Sequence, residues 1–230
     1  MSIDIRTLAI LLSLVNTLQV FALFVQYKMT RFYQGLGWWT LGTACWALGS
    51  AANYLRDDPV FGWAAIMTNN MLFVGGLVLI HFGYLRFFSK TEKRTWLVGL
   101  WITFTLIASI LTFFHKDQSD RQLNISIAVA GVSFIIANGL YRHKIQSVRI
   151  YANFLALLFL FNGAFFTLRA LTAYTINPTN ELIAVSISQI AAYIVALITS
   201  TLWTFGSIIM VNQRLNTENS AAREHFEMLF

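Results

Sequence analysis

The sequence predicts an all-α, polytopic membrane protein with seven transmembrane helices, an outside N-terminus and a cytoplasmic C-terminus that continues as a helical extension. The first observation behind this class is composition: 57% of the 230 residues are hydrophobic and 11% are charged, with a mean hydropathy of +0.62. Soluble domains carry about 25% charged residues, so the deficit indicates that lipid replaces water over most of the surface. The second is the recurrence of apolar segments of spanning length, and the third is the short polar breaks between them.

Seven segments reach the roughly 20 mostly apolar residues that a spanning helix needs. In chain order they are Leu8–Tyr27, Phe32–Leu55, Phe61–Leu85, Trp96–Phe114, Leu123–Tyr141, Tyr151–Tyr174 and Leu182–Val211. Each break carries charge or proline, which lipid does not tolerate, and no segment alternates with the period of two that a membrane β-barrel requires. Residues 1–211 are therefore predicted to form one membrane domain.

The distribution of Lys and Arg predicts the orientation of the spans. The first, third and fifth connections carry Lys28, Arg31, Arg86, Lys90, Lys93, Arg94, Arg142, Lys144 and Arg149. The second, fourth and sixth carry only Arg56, Lys116 and Arg121. The basic connections should face the cytoplasm, and they also account for the net charge of +6 without a nucleic-acid partner.

Residue chemistry removes several functions that seven spans could serve. The last span has no lysine for a retinal Schiff base, and His81 is the only histidine within a span, so a bis-haem site is not expected. The span cores contain no acidic residue, which argues against an intramembrane aspartyl protease and against a proton relay. The chain also lacks a phosphate loop and metal-type Cys/His spacing. The sequence thus predicts no catalytic residue, no metal, no cofactor and no enzymatic activity within this chain.

Arg169, in the stretch FNGAFFTLRALTAY of the sixth span, is the most unusual residue of the membrane domain. An arginine at the centre of a bilayer costs about 2.5–3.5 kcal/mol on insertion scales, and less near an edge where it can snorkel. It could therefore reach lipid headgroups, or pair with Glu181 or with the adjacent Asp57 and Asp58. The alternative is that it binds the anionic group of a ligand in an outward-facing cavity.

Further polar and aromatic residues of the predicted outer half are candidates for the same ligand site. They are Asn162 in span six, Gln189 and Tyr193 in span seven, Trp46 and Asn53 in span two, and Trp63 and Asn70 in span three. For the amides, hydrogen bonding between helices is the simpler interpretation, because such bonds stabilise membrane bundles by about 0.6 kcal/mol each. The tryptophans could equally fill the core or face lipid.

Two further patterns concern packing and depth in the membrane. Gly42, Cys45, Gly49 and Ala52 form a stripe of small residues at helical spacing in span two, which predicts a close contact with another helix. Trp38, Trp96, Trp101 and Trp203 are predicted to anchor the spans at the membrane interfaces.

The last helix is predicted to continue beyond the membrane through residues 212–230. Apolar residues recur there at steps of three, four or seven, as in a short two-stranded coiled coil, with Glu218 interrupting the seam. The residues proposed to transmit a signal along it are Val211, Leu215, Ala222 and Phe226. The alternative is an amphipathic tail that lies on the membrane surface.

The tail NQRLNTENSAAREHFEMLF resembles the junction between the last membrane helix and a PAS domain in bacterial sensor proteins. The membrane part resembles the seven-span N-terminal sensory regions of bacterial histidine kinases and diguanylate cyclases. This resemblance implies location in the bacterial inner membrane and a PAS module with a kinase, GGDEF or EAL output domain, as in two-component or cyclic di-GMP signalling. None of these output domains is in this chain.

The leading hypothesis is a sensory input module in the lipid bilayer that forms a homodimer through helix seven and its extension. Its ligand would be a small amphiphilic, anionic molecule. The runner-up is a small transporter or channel, for which Gly75-Gly76 is the best candidate break in a helix, although close helix packing explains this pair equally well. A membrane enzyme that handles acyl or prenyl groups ranks last, because the Asp and His clusters of such chemistry are missing.

Overall fold

The computed structural model describes residues 5–30, 33–56, 58–90, 95–113, 118–142, 145–175 and 181–228, without the side chains of residues 118, 174, 175 and 181–186. These ranges form seven α-helices. They are α1 (Ile5–Met29), α2 (Leu36–Ala52), α3 (Gly62–Phe87), α4 (Thr95–Phe113), α5 (Gln118–Arg142), α6 (Arg149–Thr175) and α7 (Glu181–Glu227). Short 3-10 turns extend α2 over Asn53–Leu55 and precede α6 over Gln146–Val148.

Each predicted apolar segment coincides with one of these helices, so the all-helical membrane class is confirmed. Six of the described helices, all except α2, are long and apolar enough to cross a membrane. Helix α2 has 17 residues, which at 1.5 Å per residue gives a length of about 25 Å before its 3-10 turn. It is shorter than the predicted segment because Gly35, at the non-helical φ of +118°, is the N-cap, so the helix begins at Leu36 rather than at Phe32.

Six helices form a closed ring. Around it, α1 packs against α2, α2 against α3, α3 against α5, α5 against α6, α6 against α7, and α7 against α1. Helix α4 lies outside this ring and contacts α3 and α5. Ring closure therefore depends on the first and the last helix of the chain, which Gln19 and Thr201 join through a 3.2 Å side-chain hydrogen bond.

The small-residue stripe of α2 faces α3, as predicted. A Cβ atom on Gly42 would lie 2.7 Å from the carbonyl oxygen of Gly76, and one on Gly49 would lie 3.3 Å from that of Asn69. Gly76 belongs to the pair that could have been either a helix break or a close helix contact. The structure shows the close contact, because α3 runs unbroken through both glycines and Gly76 lies against α2.

Large aromatic side chains fill the ring. Trp39, Trp203, Phe87 and Phe159 are among the largest fully buried side chains of the described residues. The prediction of Trp203 as an interfacial anchor is therefore wrong: its ring is 0% exposed and packs edge-on against Trp46 inside the bundle. The apolar face of an indole suits the core as well as the interface, and the sequence alone does not distinguish them.

Helix α7 is a single unbroken helix of 47 residues, about 70 Å long. It begins in the same end of the bundle as α3 and α5, and it continues past the ring as a solvent-exposed segment from Glu218 to Met228. This segment, 218–228, is called the α7 extension below. The predicted tail residues Leu229 and Phe230 lie outside the described residues.

Candidate functional site

A cavity occupies one end of the ring, where α2 and α6 end and where α3, α5 and α7 begin. All six ring helices contribute to it, and it encloses about 870 Å³ of empty space counted to its open mouth. Its polar lining is Ser50, Asn53, Arg56, Asn69, Asn70, Arg121, Gln122, Arg169, Gln189 and Tyr193. Its apolar lining is Leu12, Ile66, Phe73, Ile125, Phe166, Ala192 and Ala196. This mixture of apolar and polar side chains is typical of sites for small organic ligands.

Arg169 projects from α6 into this cavity rather than out to lipid. Only 9% of the residue is exposed, and its guanidinium donates to Ser126 Oγ at 3.1 Å and to Ser188 Oγ at 3.3 Å. The ring of Phe166, one turn earlier on α6, lies 5.8 Å from the guanidinium carbon. These contacts hold the cation in place with neutral partners.

Of the three predicted acidic partners of Arg169, only Asp58 has a described side chain. Asp58 accepts hydrogen bonds from the backbone N–H groups of Val60 and Phe61. These bonds lower the pKa of its carboxyl group and support the turn before α3. Asp57 and the side chain of Glu181 lie outside the described residues. No carboxylate occurs among the described residues that line the cavity.

Two further arginines line the same cavity. Arg56 follows the 3-10 turn of α2, and Arg121 lies in the first turn of α5. The amide oxygen of Gln189 accepts from the Arg56 guanidinium when the amide orientation is assigned from its hydrogen-bond partners. Three positive charges on three chain segments therefore surround one space.

Tyr193 connects helix α7 to the end of α2. Its hydroxyl accepts a 2.8 Å hydrogen bond from the side-chain amide of Asn53. Gln189 lies one turn earlier on the same face of α7, and both side chains line the cavity. The position of α7 is thus fixed at this end by contacts that lie on the wall of the cavity.

A smaller chamber, with room for about one water molecule, lies deeper in the ring and shares Leu12, Phe73 and Ala196 with the cavity. Asn162 lies on its wall, donates to Ser133 Oγ at 2.9 Å and accepts from Thr199 Oγ1 at 3.4 Å. Trp46 also lines the chamber, where its indole N–H donates to the carbonyl oxygen of Phe73 at 2.9 Å.

The structure therefore brings together most of the residues that the sequence singled out. Arg169, Gln189, Tyr193, Asn53 and Asn70 line the main cavity, and Asn162 and Trp46 line the deeper chamber. Trp63 is the exception. It is 52% exposed and packs against Phe113 of α4, because it lies on the face of α3 that points away from the ring.

Sequence reasoning missed Arg56, Arg121 and Gln122. The two arginines lie at helix ends, where their charges served only to assign orientation. Gln122 donates to Ser188 Oγ at 2.9 Å, the same hydroxyl that Arg169 contacts, and so links α5 to α7. The sequence did carry one signal for these residues, because the amide of Gln122 directly follows Arg121 at the start of a span.

Replacing Asn162 with alanine is expected to lower the free energy of unfolding by about 1 kcal/mol. Bonds of this kind between membrane helices average about 0.6 kcal/mol and reach about 1.7 kcal/mol, and the loss leaves Ser133 and Thr199 with one partner fewer. Unfolding in detergent should be measured for N162A, S133A and the double variant. Additive effects in this cycle would contradict the hydrogen bond between the two side chains.

At the opposite end of the ring, Arg214 holds α7 against two other segments. Its guanidinium donates to the carbonyl oxygen of Phe87 at 2.7 Å and to the carboxylate of Glu218 at 2.8 Å. It also lies 4.9 Å from the ring centre of Tyr33 and 5.1 Å from that of Phe87. Tyr33, Phe87, Arg214 and Glu218 are called the exit clamp below.

The Tyr33 hydroxyl completes the exit clamp by donating to Glu218 at 2.6 Å. Burial, together with this bond to a carboxylate, raises the pKa of Tyr33 to about 12, so the hydroxyl keeps its proton near neutral pH. Glu218 was predicted to interrupt a seam between two chains. It instead faces its own bundle, because Tyr33 and Arg214 provide its partners.

The clamp changes the interpretation of the four predicted signal-transmission residues. Val211 is 0% exposed and is therefore closed to a second chain, whereas Leu215 is partly buried against the core of the same chain. Ala222 and Phe226 lie on the exposed α7 extension, with Phe226 67% exposed. The intramolecular contacts of α7 therefore reach about two turns further than the predicted end of the span.

The described part of the chain contains no cluster of three His, Cys, Asp or Glu side chains that could hold a metal ion. The cavity lining combines three cations, several amides and one phenol with an apolar wall. Comparisons with known proteins do not identify a relative. No protein-family model, no curated protein and no solved structure matches this chain.

Proposed function

We propose that this chain is the membrane-embedded sensory input module of a bacterial signalling protein. One observation supports this proposal above all. Helix α7 lines the cavity with Gln189, Ala192 and Tyr193, and it reaches Glu227 at the other end without a break. A change in cavity contacts therefore acts on the same rigid element that leaves the bundle.

A ligand produces a signal in this proposal by favouring one packing of α7 over another. It must bind the two arrangements with different affinity, because a ligand with equal affinity for both shifts nothing. Helices packed in bundles move by about 1–2 Å in such transitions. The exit clamp, where Arg214 binds Phe87 and Glu218, is the point at which such a shift of α7 would be transferred to the α7 extension.

In the proposed topology the chain crosses the bilayer seven times, with the N-terminus outside and the C-terminus in the cytoplasm of a bacterium. Helix α2 and its 3-10 turn together extend about 31 Å, close to the roughly 30 Å of hydrocarbon. The basic connections then face the cytoplasm, according to the positive-inside rule. The cavity opens toward the outside.

The α7 extension would connect this module to a cytoplasmic PAS-like domain and an output domain. Ala222 and Phe226 lie on the exposed surface of the extension, four residues apart, and supply an apolar contact for a second copy. We therefore retain a homodimer through helix seven as part of the proposal.

A small transporter or channel is the second candidate function. The deeper chamber favours it, because Asn16, Thr199 and Ser200 continue the polar lining from the cavity toward the middle of the ring. Helix α3, however, is continuous at the glycine pair where a transporter would have a broken helix. The buried aromatic packing of Trp46 against Trp203 fills the ring beside this chamber.

Filling the cavity by mutation tests whether α7 acts as a lever, that is, whether a change at its cavity end moves its other end. Ala192→Phe adds a ring to the cavity wall of α7, and Ile198→Phe places the same ring at a 50% exposed position of the helix that does not line the cavity. Spin labels should be attached in the full chain at Lys90 and Ala221, both exposed, after Cys45→Ala removes the native thiol. We expect A192F, and not I198F, to shift the distance between the labels by about 1–2 Å.

The same variants separate the two candidate functions. Equal distances in A192F, I198F and the parent chain would exclude the lever, provided that A192F remains folded by circular dichroism. Solute flux through liposomes containing the parent chain, abolished by A192F with no shift at Ala221, would favour the transporter or channel.

A further inference from the structure

We propose that the cavity binds an amphipathic organic anion, with a carboxylate or phosphate head held by Arg56, Arg121 and Arg169 and an apolar body along the apolar wall. This inference rests on the proposed function, because it names the ligand class of the sensory site. The first observation is the number of cations. Three guanidinium groups line one space, and they come from α6, from the start of α5 and from the turn after α2.

The energetic cost of Arg169 supports an anionic partner. Its described hydrogen-bond acceptors are the uncharged hydroxyl groups of Ser126 and Ser188. Only 9% of Arg169 is exposed. A buried charge is costly unless it is paired and hydrogen-bonded. An anionic head in the cavity offsets this cost and also screens the three arginines from one another.

The geometry of guanidinium groups favours oxyanions. Their planar fork of N–H donors matches a carboxylate or a phosphate with two parallel hydrogen bonds. Gln122 lies next to Arg121 and shares Ser188 with Arg169, so α5, α6 and α7 converge where the head would bind.

The apolar wall excludes a bare inorganic ion as the preferred ligand. Ile66, Phe73, Ile125 and Phe166 line the cavity together with the arginines, and a bare inorganic ion would leave this apolar surface without a partner. An apolar body can instead lie along this wall, where it removes its surface from water.

Binding measurements with matched probes test the ligand class. The full chain in a neutral detergent should be titrated with decanoate, with decanol, which keeps the chain without the charge, and with inorganic phosphate, which keeps only the charge. We expect decanoate to bind at least about tenfold more tightly than either probe. From hexanoate to octanoate, affinity should rise about fourfold per methylene group.

Variants locate the head. Arg169→Gln is expected to weaken decanoate binding about ten- to hundredfold, whereas Arg223→Gln, on the exposed α7 extension, should leave it unchanged. Asn70→Asp adds a carboxylate to the lining without changing its size, and it should also weaken binding. If R169Q does not fold, Arg56→Gln at the half-buried turn and N70D provide the same test.

The possible sources of the anion are distinguished by adding phosphatidylglycerol to the titration. Competition between phosphatidylglycerol and decanoate would identify an anionic membrane lipid as the source. A lack of competition would identify a dissolved molecule, and either result supports an amphipathic organic anion as the ligand class. Equal binding of decanol and decanoate, or unchanged decanoate binding in R169Q, R56Q and N70D, would overturn it. The Lys90–Ala221 distance separates the proposed movement of α7 from the proposed ligand class. Decanoate that binds without changing this distance would refute the movement of α7 alone. Decanol that changes the distance as decanoate does would refute the anionic ligand class alone.

Discussion

Replacing Arg214 with alanine is expected to release α7 from the end of the bundle. The substitution removes a charge-assisted bond to the Phe87 carbonyl, which contributes about 1.5–3 kcal/mol, and the contacts with the Tyr33 and Phe87 rings. The bridge to Glu218 adds little, because that carboxylate is 53% exposed. A loss of about 2 kcal/mol would speed amide exchange near residues 208–218 about thirtyfold.

Hydrogen–deuterium exchange followed by mass spectrometry measures this effect segment by segment. Arg223→Ala removes the same type of side chain from the exposed face of the same helix and should leave exchange at residues 208–218 unchanged. Arg214→Lys should restore only part of the protection, because an ammonium group lacks the planar fork that binds Phe87 and Glu218 together. Parent-like exchange in R214A would show that the clamp does not hold α7.

Replacing Gly76 with alanine is expected to destabilise the whole bundle. The new Cβ atom would lie 2.6 Å from the Trp46 indole and 2.7 Å from the carbonyl oxygen of Gly42, so α2 and α3 must move apart. Overpacking of this kind costs about 1–3 kcal/mol, which exceeds the gain of up to about 1 kcal/mol from the helix propensity of alanine. We expect the unfolding temperature in detergent to fall by roughly 2–8 °C.

Gly131 provides the matched control for this prediction. It lies within α5, and a Cβ atom there would meet no other atom within 4 Å. Gly131→Ala should therefore raise stability slightly or leave it unchanged, since only helix propensity acts. If G76A were as stable as G131A, the α2–α3 contact would be looser than the structure shows.

Hydropathy predicted where the helices begin and end, because apolar length is set by the bilayer and the breaks are marked by charge. It did not predict the rotation of the helices about their axes. Lipid and protein core are both apolar, so a residue such as Trp203 carries no signal that separates the two. The polar residues carried more information, and Arg169, Asn53 and Tyr193 do lie on one cavity.

The contacts that sequence reasoning missed are those between segments distant in the chain. Glu218 was predicted to interrupt a coiled-coil seam and Arg214 was given no role, because only the fold brings Tyr33 and Phe87 to them. For the same reason, Arg56 and Arg121 were used only to assign the orientation of the spans. A charge at the end of a span faces water in one arrangement and a cavity in another, and the choice depends on the order of the helices around the ring.

That order has a consequence for how the protein is made. The wall of the cavity is closed by α1 against α7, and hydrogen bonds such as that from Gln26 to Asn212 join residues 186 positions apart. The ribosome therefore delivers the first partner long before the last. Until α7 has entered the membrane, the buried amides of Asn16 and Gln19 on α1 face the gap that α7 later fills.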